Sequence, residues 1–127
     1  MAFRTPDIQS FPHYYLHSYV HNGRIGVLVE IGRESDFLIR MKPFQELVND
    51  VALQIAGMAP SDVDTLLAQT FVKDGSRTVR GVLQDASAKF REHLAVTRFI
   101  RWSADDRERP DETTPPRTPA VIVSFKR

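Results

Sequence analysis

Ser18-Tyr-Val-His-Asn-Gly-Arg-Ile-Gly-Val-Leu-Val-Glu-Ile-Gly-Arg-Glu-Ser-Asp-Phe37 is the stretch whose reading decides the fold. Asn22-Gly23 is a strong hairpin signal, because both residues tolerate the positive φ of a type I′ turn. Ile25 to Ile31 is almost continuously apolar and β-branched, which predicts a strand buried on both faces. The pattern breaks at Gly32, and a charged run ends in Ser35-Asp36-Phe37. A phenylalanine just past a strand and behind an aspartate either opens the next core or is presented to a partner.

Outward on the N-terminal side, His13, Tyr15, His17, Tyr19 and His21 alternate with Tyr14, Leu16, Ser18 and Val20. Period two predicts a strand over 13–21. Residues 1–12, with Pro6 and Pro12, read as an extended arm. The histidines raise the question of a metal. Within a strand, residues four apart lie ~13 Å apart, whereas zinc needs its nitrogens ~2 Å from the ion. No two of them can share one ion, so no metal site is expected.

Outward on the other side, Pro43 suits a first helical turn, where its missing N–H costs nothing. Phe44, Leu47, Val48, Val51, Ala52, Ile55 and Ala59 follow at spacings of three and four, an apolar stripe facing a core. Gln45, Glu46, Asn49, Asp50 and Gln54 are expected on the solvent side. Pro60 ends the helix, and Ser61 is a candidate cap for a short second one through Gln69. Phe71-Val72-Lys73 reads as a connector or short strand. Thr78 is a candidate N-cap for a helix from Val79 to about His93, a histidine placed to complement the dipole. Leu94 to Trp102 predicts the last strand, with Val96, Ile100 and Trp102 on one parity and Phe99 on the other. Residues 103–119 are rich in proline and charge and read as a linker. The apolar segment 120–127 is expected to pair as an edge strand, in the same chain or across a dimer.

The chain has 127 residues, room for one domain with a real core, here placed at 13–102. A formal charge of +1 creates no strong field toward nucleic acid or membranes, and direct nucleic-acid binding is not expected. With no cysteine, disulfides and thiolate chemistry are excluded. No apolar run approaches the ~20 residues that span a bilayer, and residues 1–10 lack the apolar core of a secretory signal. There is no phosphate-binding loop, nucleophile elbow or paired-carboxylate pattern, so an enzyme is not expected and no cofactor is implied. The charged helix positions read as solvated.

Taken together, Tyr19 to Glu30, the Ser35-Asp36-Phe37 tip, Phe44-Gln45-Glu46-Leu47-Val48 and Ala52-Leu53-Gln54-Ile55-Ala56 closely resemble bacterial elongation factor Ts. Phe71-Val72-Lys73-Asp74, Thr78-Val79 and Arg98-Phe99-Ile100-Arg101 continue the resemblance in the same order, over roughly residues 13–102. The resemblance implies an α+β fold, a three-stranded antiparallel sheet with two or three helices on one face. It implies a cytoplasmic protein that binds the GTPase elongation factor Tu and promotes GDP release in translation elongation. The alternative is a module that binds, sequesters or protects that GTPase without exchange. In the family the aspartate-phenylalanine tip contacts the GTPase, which assigns partner binding to Ser35, Asp36 and Phe37. A histidine in the family's Tyr-x-His segment does the same and matches His21. Serine stands at 35 where the family has threonine. The family's N-terminal three-helix domain has no counterpart in these residues, and the helical excursion between its two halves is shortened to Pro60 through Thr70. Two core sheets pack face to face in the family, so with one copy present the resemblance implies a homodimer through the open sheet face.

Overall fold

The computed structural model describes residues 10–105. The arm through residue 9, most of the expected linker and the whole of the expected edge segment 120–127 lie outside the described residues. β1 (His13–His21) and β2 (Ile25–Arg33) form the expected hairpin. Asn22 and Gly23 take φ of 51° and 68°, and the Arg24 N–H donates to the His21 carbonyl at 2.9 Å. Pairing resumes at His21–Ile25, so Arg24 is an extra residue in the connection. At the far end of β2, a Cβ on Gly32 would run into the Phe11 ring, so glycine is required there by close approach.

β3 (Ala95–Ser103) pairs antiparallel with β2, and the sheet order is β1-β2-β3. Val27, Val29 and Ile31 of β2 face the core. Here the sequence expectation needs two corrections. First, β2 is buried on only one face within the chain: Leu28, between two buried valines, is 43% exposed. The helices cover a single side, and on the other the Phe11 ring covers only the Gly32 end while Leu28 stays exposed. Second, Val96 shares the core face with Phe99 instead of opposing it. Glu30 pairs with Arg98 but Ile31 pairs with Val96, leaving Thr97 as a bulge that reverses the side-chain alternation. The Thr97 hydroxyl donates to the Glu30 carboxylate at 2.8 Å and holds the bulge.

A single 3-10 turn over Leu38–Arg40 leads into α1 (Lys42–Met58), which lies across β1 and β2. Its stripe is as expected from Phe44 to Ile55, with Phe44, Val48 and Ile55 fully buried. Gln54, expected in solvent, is 0% exposed. Its amide nitrogen donates to the Thr70 carbonyl and the Gln69 side chain, both at 3.1 Å, and its oxygen accepts from the Val72 N–H at 2.8 Å. A buried amide with these partners is stable, and it ties the connector after the second helix to α1. Ala59 does not extend the stripe. It is the C-cap, at φ 46°.

α2 (Val63–Ala68) is capped by Asp62, not Ser61: the Asp62 carboxylate accepts from the Thr65 N–H at 2.7 Å. It rests against β3 and against α3 (Val79–Phe90). Thr78 caps α3 as expected, accepting from the Gly81 N–H at 3.1 Å. Residues 71–77 form turns rather than a strand, with a lone bridge between Thr70 and Thr78. α3 stops earlier than its expected end near His93. Arg91 takes φ 57°, and the Glu92 N–H closes back on the Ser87 carbonyl at 3.1 Å. That reversal carries Glu92 and His93 to the end of β2. No helix among the described residues is long and apolar enough to cross a membrane.

Candidate functional site

The site grows from the end of β2. Arg33 continues the core-facing parity of Val27, Val29 and Ile31, so its side chain enters the protein; the residue is 4% exposed. A buried guanidinium needs acceptors. Arg33 Nη1 donates to the Ser35 carbonyl at 2.5 Å, and the Asp36 carboxylate stands 3.5 Å from both terminal nitrogens. At that length the Asp36 contact is a charge interaction more than a hydrogen bond. The chain therefore curls over its own arginine.

From the other side, Glu92 takes the tip's outward donors. Its carboxylate accepts the Ser35 N–H at 2.9 Å and the Glu34 N–H at 3.2 Å, and the Ser35 hydroxyl donates to its second oxygen. Glu34 reciprocates. Its carboxylate accepts the His93 N–H at 3.0 Å and pairs with the His93 ring. The His93 side chain, then its backbone N–H, hold the Glu34 carboxyl below its ordinary value. A carboxyl depressed by folding contributes stability that is complete above its unfolded value of ~4.3 and is lost as pH falls through the folded one. This half of the brace is thus intact at neutral pH. His93 does not sit in the last turn of α3, as its position in the sequence suggests, but beyond the helix, against Glu34.

Braced in this way, the chain turns outward at Phe37 and inward at the next residue. Phe37 is 66% exposed and Leu38 only 2%. The core is completed by Leu38 and Phe44, and Phe37 is not part of it. Ser35, Asp36 and Phe37 form one contiguous tip. His21 is elsewhere, at the hairpin turn, exposed, with its ring bonded to the Tyr19 hydroxyl at 2.7 Å and near the Asn22 amide at 3.3 Å. Because His21 pairs with Ile25 at the other end of β2, it is separated from the tip by the strand's length, ~27 Å at the usual rise. Among the described residues, no cluster of three or more His, Asp or Glu side chains could hold a metal ion.

Sequence reasoning missed Glu92, Glu34, His93 and Arg33. Only Arg33 carried a local signal, its parity. Glu92 lies 57 residues from Ser35, and nothing nearby in the chain marks it.

The sequence model described as elongation factor TS matches residues 3–66. An elongation factor Ts of Trichlorobacter lovleyi is 40% identical over 84 residues, covering 66% of this chain and 27% of that protein. That of Coprothermobacter proteolyticus is 31% identical over 134 aligned positions, covering 69% of this chain and 68% of the relative. That of Rubrobacter xylanophilus is 32% identical, with 68% of each chain covered. The chain thus spans about a quarter of the length of the first relative and about two thirds of the other two. The alignment with the Coprothermobacter protein is longer than the part of this chain that it uses, so that relative carries residues inside the matched region that are absent here. With the sheet, the helices and the ordered sequence blocks in agreement, the chain belongs to the elongation factor Ts family.

Proposed function

We propose that this chain binds the GTPase elongation factor Tu in the cytoplasm and promotes release of its GDP during translation elongation. The observation that carries the reading is the tip: a bare phenyl ring projecting from backbone held on both sides. A preformed apolar wedge binds at low ordering cost. Inserted into a GTPase, it stabilises an open conformer that holds nucleotide poorly. Nucleotide and wedge then weaken each other equally, as linkage requires. No bond to the protein is made or broken. The test is release of labelled GDP from purified elongation factor Tu, with a pull-down in parallel. Accelerated release supports the reading, and binding without release selects a non-exchanging module that sequesters or protects the GTPase.

His21 is the second contact in this proposal, at the opposite end of the sheet. Its alanine variant should raise the dissociation constant several-fold with little change in melting temperature, since the ring is exposed and its bond to the Tyr19 hydroxyl lies at the surface. An unchanged constant by calorimetry removes His21 from the interface.

The open sheet face supports a homodimer. Leu16, Val20, Leu28 and Trp102 are exposed there, and Gly26 leaves a flat place between Val20 and Trp102 in the register. A contiguous apolar face of this kind is commonly an interface. Light scattering at micromolar concentration should give twice the 14.5 kDa of one chain. A mass of one chain rules the dimer out.

A further inference from the structure

Besides the 3-10 turn, whose Arg40 N–H donates to the Phe37 carbonyl at 3.2 Å, two side chains hold the tip by hydrogen bonds. Arg33 acts from beneath, within the same strand end. Glu92 acts from the α3–β3 turn, and it is the group that engages the tip's own N–H donors and the Ser35 hydroxyl. Two residues beyond Ser35 the phenyl ring is 66% exposed, and Phe37 is not one of the buried residues of the core. Its orientation comes from the backbone beneath it, which the 3-10 turn holds at the Phe37 carbonyl and which Arg33 and Glu92 hold at Ser35.

We propose that Glu92 is a positioning residue for the Phe37 tip: by gathering the N–H groups of Glu34 and Ser35 and the Ser35 hydroxyl on one carboxylate, it holds the ring in the direction in which it enters the GTPase. The inference rests on the exchange reading given above. It adds a residue that does not touch the partner, on a part of the chain distant from the tip in sequence. Glu34 and His93 close the same loop from the opposite direction, so the tip and the turn are tied by bonds running both ways.

The effect separates from a general loss of fold by its kinetic form. A variant that is partly unfolded has fewer active molecules. Its GDP-release curve reaches the wild-type plateau at a higher concentration. A variant whose tip is loose still docks through the remaining surface but wedges poorly, so its plateau is lower at a similar half-saturating concentration. Glu92→Ala is expected to lower the plateau at least fivefold, with the half-saturating concentration within twofold of wild type. Glu92→Gln keeps an acceptor oxygen and should fall between the two. In the free protein, hydrogen exchange at the Ser35 amide should quicken at least tenfold in Glu92→Ala, while amides of β2 such as Val29 are unchanged. If Glu92→Ala does not fold, Glu92→Gln carries both measurements. A plateau within twofold of wild type, or an unchanged Ser35 amide, overturns the proposal. If the wild-type chain releases no GDP from the GTPase, the exchange reading falls by itself, and the Ser35 amide alone then supports or overturns the role of Glu92.

Discussion

Phe37→Ala is expected to reduce GDP release from elongation factor Tu at least tenfold while leaving the melting temperature within a few degrees of wild type. The argument is one of burial. At 66% exposure the ring has little apolar area to lose from the folded state, and Leu38 rather than Phe37 fills the core beside it. An exposed anchor that seats in a partner's pocket is worth about 2 kcal/mol or more of binding, which is roughly thirtyfold. Asp36→Ala should show a weaker form of the same pattern, since its carboxylate makes only a long contact to Arg33. Exchange assays and thermal melts on the same preparations check both quantities. A large fall in melting temperature, with exchange kept in the folded fraction, would return Phe37 to the core and remove it from the mechanism.

Phe44→Ala should give the opposite signature. That ring is 0% exposed and meets the Tyr15 ring edge-on, centroids 5.4 Å apart, where α1 crosses β1. Truncating a buried phenylalanine costs about 3–5 kcal/mol through lost transfer energy and the cavity left behind. A small domain has only about 5–15 kcal/mol of stability to lose. At about 4–8 °C per kcal/mol for a domain of this size, the melting temperature should fall by at least ~12 °C. The molecules that remain folded still carry an intact tip, so their exchange plateau should match wild type. The two phenylalanines, seven residues apart, thus separate fold from function. A melting temperature unchanged in Phe44→Ala would mean that α1 is not seated on the sheet as described.

Most of this architecture was readable in the chain because its signals are local. The Asn22-Gly23 turn, the alternation over His13–His21, the stripe of α1 and the Thr78 cap each involve residues within a few positions of one another. What was not readable depends on neighbours brought in from far away. Gln54 looks like a solvent residue on a helical wheel, and only the approach of residues 69–72 makes it a buried knot. Val96 looks opposed to Phe99 until Thr97 is known to bulge. The tip is legible in the sequence as three residues, of which Asp36 and Phe37 are exposed and Ser35 is half-buried beneath them. Its support is not legible, because a carboxylate in the turn after α3 resembles any other solvated glutamate. His21, beside the Asn22-Gly23 turn, is assigned to partner binding by family resemblance alone, and the register sets it and the tip at opposite ends of one strand.

The bond between Ser35 and Glu92 also has a consequence in time. It joins residues 57 apart, so it cannot form until the later one exists. A chain emerging from the ribosome displays Arg33 to Phe37 well before α3 and β3 have been made. Non-local contacts of this kind form late, once the intervening chain has closed. The phenyl ring is therefore synthesised early and aimed late. If the ring acts on the GTPase as proposed, translation of the second half of the chain is the step that makes the first half competent.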